Sequence, residues 1–145
     1  MVLSELEVVE KPLVEFLQEL GWSFVDSDSI ERDYNDAFDR ERLSDALFRL
    51  NPGILVGPND VDRVIDYLKR LPNNIRGNKK FFQWLKNEES IGLRTGEHTQ
   101  TINLIDYDNP NNNTYIVTTQ FKFQGHENIR PDIILLINGI PLVLI

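Results

Sequence analysis

The sequence contains no cysteine and only two histidines among its 145 residues. The absence of cysteine excludes disulfides, thiolate chemistry and cysteine-type zinc sites. His98 and His126 lie in polar, turn-like contexts without a second metal-ligand pattern nearby, so we expect exposed loop residues. No apolar run approaches the roughly 20 residues of a membrane helix, and the first residues lack the pattern of a secretory signal. We therefore expect a cytoplasmic protein with no membrane partner.

Positive charge is also scarce, because 15 Lys and Arg face 23 Asp and Glu and the net charge is −8. This charge balance argues against a domain that binds nucleic acid with its own surface, but not against a metal site built from carboxylates. No glycine is followed by the Gly-Lys-Ser/Thr of a phosphate-binding loop. The acidic stretches DSDSIERD and DYDNPNNN lack the EF-hand pattern, and the second is interpreted as an Asx-rich turn.

Apolar residues at helical spacing predict helices over the first part of the chain, about residues 1–87. The first helix is expected either to kink at Pro12 or to begin near Glu10, because proline removes a hydrogen bond inside a helix. Three further helices are predicted over about residues 39–50, 59–71 (capped by Asn59) and 79–87. In the last helix the aromatic residues are expected to serve the core. Lys79 and Lys80 could touch a DNA phosphate, although a solvated helix start is the favoured interpretation.

The second part, about residues 88–145, has strand composition. TINLIDY and NTYIVTTQFKF are followed by DIILLI and IPLVLI, which flank Asn138-Gly139, the strongest short-range signal for a β-hairpin. Because these last two runs are almost entirely apolar, we expect both strands to be buried on both faces of a central sheet. The sequence therefore predicts one α/β (α+β) domain over residues 1–145, with N-terminal helices packed on a central mixed sheet.

Asp132 stands at the start of this hairpin, where a charged side chain is costly unless something pairs with it. A two-residue loop would place Ile145 opposite Asp132, whereas a longer loop or a bulge would place the next residue there. If a carboxylate followed, two acids would converge at the sheet edge and could bind a divalent cation. The alternative is that Asp132 caps the hairpin or pairs with Arg130.

The run NIRPDIILLINGIPLVLI closely resembles a signature of the N-terminal nuclease domain of type I restriction enzyme R (restriction) subunits. In that family the hairpin runs directly into Glu-Leu-Lys. The runs SELEVVEKPLVEFLQELGW, LFRLNP, INLIDYDNPNNN and TTQFKFQG match further parts of the family pattern in the same order. The resemblance implies a restriction-endonuclease-like fold of the PD-(D/E)xK kind, with the given chain ending within its core hairpin.

The resemblance also implies roles for particular residues. Asp132 matches the motif aspartate that ligates the catalytic Mg²⁺, and Glu10 matches an acidic residue of the first helix near the same site. Gln120 and Arg130 recur in the family pattern and are expected to have supporting or structural roles. Three other acids of the first segment compete with Glu10 for its assignment, namely Glu5, Glu7 and Glu15.

The family's Glu and Lys would be the first and third residues after Ile145, so the given chain alone is expected to be inactive. The resemblance implies that the parent protein is a bacterial or archaeal, ATP-dependent type I deoxyribonuclease acting on double-stranded DNA. ATP would bind in motor domains outside this chain, and the modification and specificity subunits would be its partners. These other parts would hold the DNA, which makes an acidic nuclease domain acceptable. The alternatives are a non-catalytic module that docks motor or modification subunits, and a related nuclease outside the type I systems.

Overall fold

A computed structural model describes residues 9–33, 36–72, 74–88, 91–95, 98–123 and 131–145. These residues form four α-helices and a mixed four-stranded sheet, which confirms the predicted mixed α/β class. They divide into two compact units, of which one combines the residues before Ser44 with those after Asn113 and the other spans residues 44–113. No helix within these ranges is long and apolar enough to cross a membrane.

The elements are named here in chain order. The helices are α1 (Lys11–Glu19), α2 (Arg40–Leu50), α3 (Pro58–Lys69) and α4 (Ile75–Leu85). The strands are β1 (Ser23–Phe24), β2 (Ile91–Thr95), β3 (His98–Ile102), β4 (Tyr115–Thr119), β5 (Ile133–Ile137) and β6 (Ile140–Leu144). His98, expected in a loop, therefore begins a strand, whereas His126 lies outside the described residues.

Helix α1 begins directly after Glu10, as one of the two predicted alternatives has it. Pro12 lies in the first turn, where a backbone N–H has no partner inside the helix, so the proline causes no loss there. The helix ends at Glu19, and Gly21 just beyond it has a φ of +104°, which suits glycine. Its buried Leu17 packs against Val117 on one face of the sheet.

The sheet of the first unit has the order β1-β4-β5-β6, with β1 parallel to β4 and the remaining neighbours antiparallel. Strand β5 is covered on both faces, as predicted from its continuous apolar run. One face packs with Ile30 and Phe121, and the other packs with Leu17. The same prediction is wrong for β6, which is the outermost strand among the described residues. Val143 and Leu144 of β6 are exposed, because the residues that the structure describes supply no further strand beside β6.

The predicted Asn138-Gly139 hairpin is confirmed, and its two turn residues have positive φ angles of 53° and 78°. Asn138 is fully buried, and its Oδ1 accepts a hydrogen bond from the backbone N–H of Thr114 over 2.8 Å. The carbonyl of Gly139 accepts one from the N–H of Asp39 over 2.9 Å, just before α2. The turn is therefore packed beneath the start of a helix, where a Cβ at Gly139 would lie 2.4 Å from the Asp39 carbonyl oxygen.

In the second unit, α3 is an amphipathic helix whose buried stripe consists of Val61, Val64, Ile65 and Leu68. These are four of the five apolar residues expected on that side; the fifth, Leu71, lies beyond the end of the helix at Lys69. The predicted cap at Asn59 is wrong, because Pro58 already occupies the first turn and Gly57 is the N-cap. The Asp60 carboxylate accepts hydrogen bonds from the N–H groups of Val56 and Gly57, at 3.1 and 3.4 Å. The helix therefore starts two residues earlier than the sequence suggests.

Strand β3 ends at Ile102, so the predicted strand over TINLIDY stops early. Its end is fixed by buried Asn51, which accepts a hydrogen bond from the Asn103 N–H over 2.7 Å and donates one to the Asn103 carbonyl over 3.0 Å. Beyond this point Asp106 forms the expected Asx-type turn. Its carboxylate accepts from the Asn109 N–H over 2.9 Å and from Asn112 Nδ2 over 3.1 Å.

Candidate functional site

Three of the four site residues expected from the sequence, Glu10, Gln120 and Asp132, meet at one edge of the sheet in the first unit. The fourth, Arg130, lies outside the described residues. Gln120 directly follows β4 and Asp132 directly precedes β5. Because these two strands are antiparallel, with Thr119 opposite Ile133, the end of one lies beside the start of the other. The backbone N–H of Gln120 donates to the carbonyl of Asp132 over 3.2 Å.

Gln120 also reaches Glu10, which lies at the N-terminus of α1. The Gln120 Nε2 donates a hydrogen bond to Glu10 Oε1 over 3.2 Å. Its backbone has a φ of +57°, which is uncommon for a residue other than glycine and turns the chain away from the strand direction. One glutamine therefore contacts both predicted catalytic residues, Glu10 through its side chain and Asp132 through its backbone.

Glu10 is the unusual member of this group, because it is a carboxylate that is only 5% exposed. Its Oε1 accepts from Gln120, but its Oε2 is buried and has no hydrogen-bond partner among the described residues. A buried carboxylate oxygen without a donor is costly, and such oxygens in folded proteins are normally paired or bound to a cation. Glu10 therefore offers a ligand oxygen that the described protein groups leave unused.

Asp132 is exposed, and its position is fixed by the hairpin register. Ile133 and Ile145 exchange two backbone hydrogen bonds, of 3.0 and 2.8 Å. A bulge between Leu135 and Leu136 makes Leu142 the extra residue of β6. The bulge alternative weighed in the sequence is therefore the observed one, and the register position opposite Asp132 is the one after Ile145. Pairing of Asp132 with Arg130, which the sequence offers as an alternative to a cation site, lies outside the described residues.

A cavity of about 420 Å³ adjoins Glu10. It is lined by α1, by Phe24 of β1 and by Thr119 at the end of β4. Glu15 also lines this cavity, but it is exposed, and the Gln120 side chain donates to Glu10 and not to Glu15. Glu5 and Glu7 lie outside the described residues, so Glu10 is the acid of this segment that the structure connects to Gln120.

Two basic residues near the site were not predicted from the sequence. Lys11 lines the same cavity as Glu10, and its adjacency to Glu10 in the chain was the available signal. Arg32 lines a second cavity of about 370 Å³ that Gln120 also borders. Its guanidinium lies 3.6 Å from the centre of the Phe121 ring and donates to the Asp36 carbonyl over 2.7 Å. No local sequence pattern signals this stacking arrangement.

The described residues supply only part of a metal-binding group. Within the ranges that the structure covers, no three histidine, aspartate or glutamate side chains come together. Glu10 and Asp132 nevertheless provide hard carboxylate oxygens of the type that Mg²⁺ prefers, and Mg²⁺ commonly keeps several water ligands. The unpartnered Oε2 of Glu10 fits such an ion.

Comparison with known proteins shows the family of the chain. Residues 2–145 match the family described as the type I restriction enzyme R protein N terminus. The chain is 30% identical over 155 residues to a Methanocaldococcus jannaschii protein named as the type I restriction enzyme MjaIXP endonuclease subunit. It is 28% identical over 141 residues to the MjaVIIIP endonuclease subunit of the same organism.

These matches cover 98% and 94% of the chain but only 15% and 13% of the two relatives. A third match, to the MjaVIIP endonuclease subunit of the same organism, is 51% identical over 43 residues and covers 29% of the chain and 4% of that relative. The chain thus corresponds to a small part of each relative, while the family match extends over nearly all its residues. The chain belongs to the family of type I restriction enzyme R protein N termini.

Proposed function

We propose that this chain forms the nuclease part of a type I restriction enzyme R subunit, with a core of the PD-(D/E)xK kind. One observation carries the proposal. Gln120 joins Glu10, whose Oε2 has no partner among the described residues, to the backbone of Asp132 at one sheet edge. The family membership supports the same reading, because the relatives are named as endonuclease subunits.

In this proposal Glu10 and Asp132 hold a Mg²⁺ ion. Bound Mg²⁺ would stabilise the charge that develops on a phosphodiester and promote attack by water. Glu10 is suited to the inner side of such a site because it is buried, whereas exposed Asp132 can reach a ligand from solvent. Gln120 is a positioning residue, because its hydrogen bond fixes the Glu10 carboxylate without using Oε2.

The substrate of the whole protein is proposed to be double-stranded DNA, cleaved after ATP-driven translocation by other domains of the R subunit. The modification and specificity subunits would be its partners. A carboxylate at the register position opposite Asp132 would complete the ligand set, because directly opposed side chains on antiparallel strands lie about 4.5–5.5 Å apart at Cβ. The 145-residue chain by itself is accordingly proposed to be inactive.

The test uses the full R subunit assembled with its modification and specificity subunits. Cleavage of a plasmid with Mg²⁺ and ATP is compared for the unaltered enzyme and for Asp132→Asn, Glu10→Gln and Glu15→Gln. We expect the first two changes to lower cleavage more than about 100-fold while ATP hydrolysis persists, since only the metal ligands are altered. Glu15→Gln is the control and should cleave normally.

Two outcomes would count against the nuclease assignment. Normal cleavage by Asp132→Asn would show that this carboxylate is not a ligand. If the variants instead fail to assemble with the modification subunit and lose ATP hydrolysis as well, the chain acts as a docking module, the alternative weighed in the sequence.

A further inference from the structure

The charges of this acidic chain are strongly segregated. Residues 69–86 contain six of the fifteen Lys and Arg and no Asp or Glu, so this stretch carries +6. The net charge of the whole chain is −8, which leaves −14 for the remainder. Such a separation is not expected of an ordinary solvated surface, where charges of both signs are mixed.

The basic stretch comprises the end of α3 and the whole of α4, and we call it the basic helical face. Arg70, Arg76 and Lys79 are exposed, and none of the three forms an ion pair with another described residue. Along α4, four exposed residues are spaced three or four positions apart and therefore share one side of the helix. They are Ile75, Lys79, Phe82 and Lys86.

Phe82 is 58% exposed, although the sequence predicts that the aromatic residues of this helix serve the core. Trp84 and Leu85 fulfil that expectation and are buried. The Lys86 ammonium lies 4.7 Å from the centre of the Phe82 ring, so cation and aromatic ring share the exposed side. Lys86 also forms an exposed ion pair of 2.8 Å with Glu88, so the cations that carry the proposal are Arg70, Arg76 and Lys79. An exposed face that alternates cations with apolar groups suits a polyanion that also has apolar surface.

The stability of α4 does not account for these cations. The first turn of the helix contains no acid, and it holds Arg76 with Lys79 just behind it. The dipole of a helix disfavours positive charge at its N-terminus, typically by about 0.3–1 kcal/mol per charge. The cations are therefore placed where they weaken the isolated helix, and an external anion would compensate them.

The connection between α3 and α4 holds the basic helical face in a defined geometry. Asn74 caps α4 by accepting a hydrogen bond from the Gly77 N–H over 2.9 Å. A Cβ at Gly77 would lie 1.8 Å from the Pro72 carbonyl oxygen, so glycine permits a very close backbone approach. The cations on either side of this turn are consequently presented by packed secondary structure and not by a loose loop.

We infer that the basic helical face binds the sugar-phosphate backbone of double-stranded DNA without regard to base sequence. Duplex DNA carries one negative charge per about 1.7 Å of its axis, a density that a single helix face can contact locally despite the acidity elsewhere in the chain. The choice of DNA over an acidic protein rests on the proposed function, since the substrate of a nuclease must be held. The predicted solvated helix start at Lys79 and Lys80 is wrong, because α4 begins at Ile75 and places both lysines inside the helix.

The test measures fluorescence anisotropy of a labelled duplex titrated with the chain in EDTA, over a range of salt concentrations. The variant R76Q/K79Q is compared with R40Q/R63Q, which has the same net charge but alters cations outside residues 69–86. The slope of log affinity against log salt concentration is negative, and each lost phosphate contact reduces its magnitude by about 0.9. We expect the slope to fall by about 2 for R76Q/K79Q and to stay unchanged for the control.

Circular dichroism should show native helix content for R76Q/K79Q, because removing cations from a helix N-terminus favours the helix. The proposal is overturned by equal slopes for the two double variants, by absence of duplex binding at low salt, or by competition from polyglutamate as strong as that from unlabelled DNA. Loss of the nuclease assignment in the cleavage test would leave this binding result unaffected, so the two failures are distinguishable.

Discussion

Gln120 donates a hydrogen bond to Glu10, a residue 110 positions earlier in the chain, over 3.2 Å. The same glutamine donates its backbone N–H to the Asp132 carbonyl. The candidate metal ligands therefore do not depend on one local motif. They depend on a residue with a left-handed backbone that connects a helix start to a sheet edge.

The roles of the Gln120 side chain and backbone can be separated with two substitutions. Gln120→Ala removes the hydrogen bond to Glu10 and keeps the backbone strain at φ +57°, whereas Gln120→Gly removes both. We expect Gln120→Gly to be more stable than Gln120→Ala by about 1 kcal/mol in urea unfolding. In the full enzyme both should lose cleavage by about 10–100-fold, as supporting partners of metal ligands do.

A Gln120→Gly enzyme that cleaves DNA normally would contradict the positioning role of the side chain. Varying the Mg²⁺ concentration provides the readout that a purely structural role would not change. The half-maximal Mg²⁺ concentration for cleavage should rise in both variants, since Glu10 is no longer oriented.

The Glu10 carboxylate should lower the free energy of unfolding of the chain when no metal is bound. Glu10→Met replaces a carboxylate whose buried Oε2 has no partner among the described residues with an apolar side chain of similar length. We expect the free energy of unfolding in EDTA to increase by about 1–2 kcal/mol, and cleavage by the full enzyme to be lost. Glu15→Met, which changes an exposed acid on the same helix, is the matched control and should show neither effect. A destabilised Glu10→Met chain would contradict the account given for Oε2.

Gly139 should be far less tolerant of substitution than Gly53, although both have a φ of 78°. A Cβ at Gly139 would lie 2.4 Å from the Asp39 carbonyl oxygen and 2.7 Å from the Leu43 nitrogen, whereas nothing lies within 4 Å of one at Gly53. We expect Gly139→Ala to cost about 2–4 kcal/mol in urea unfolding, from strain and close contact together. Gly53→Ala should cost about 1 kcal/mol, the conformational part alone. Equal losses would show that the turn beneath α2 can move aside.

Asp106 should make the second unit sensitive to acid. Hydrogen bonds from the Asn109 N–H, and then from Asn112, hold the pKa of the Asp106 carboxyl below its ordinary value. A lowered folded-state pKa means that the stabilisation is complete above the ordinary aspartate pKa and is lost as the pH falls through the folded-state value. Carboxyl ¹³C NMR titration should show the low pKa directly. Asp106→Asn should reduce the acid dependence of unfolding, whereas Asp108→Asn, an exposed neighbour, should leave it unchanged.

The sequence predicts those elements whose causes are local. The Asn-Gly turn, the apolar run of β5 and the start of α1 just before Pro12 each follow from the conformational preferences of a few adjacent residues. The exposure of β6 could not be predicted in this way, because its run of apolar residues is almost indistinguishable from that of β5. Which of two such strands is central depends on the strands that pair with them, and this information is not local.

The candidate site likewise combines residues that the sequence indicates with contacts that it does not. The resemblance to a family indicated Asp132 and Glu10, but the contact between Gln120 and Glu10 joins residues far apart in the chain. Similarly, the helical pattern of α4 predicted its existence and did not distinguish buried Trp84 from exposed Phe82. Aromatic residues next to each other on a helix point in different directions, and the neighbouring element decides which of them is covered.

The extra residue Leu142 sets the phase of the whole end of the hairpin. Side chains of a strand alternate between the two faces of a sheet, so one additional residue reverses the facing of everything that follows it. A regular ladder that kept Leu142 without the bulge would bring Ile145 opposite Asp132 and would turn Leu142 and each subsequent side chain to the opposite face. Deleting Leu142 would instead remove the extra residue and leave Ile145 opposite Ile133. The bulge therefore determines which residue of the returning strand lies opposite Asp132, independently of what that residue is.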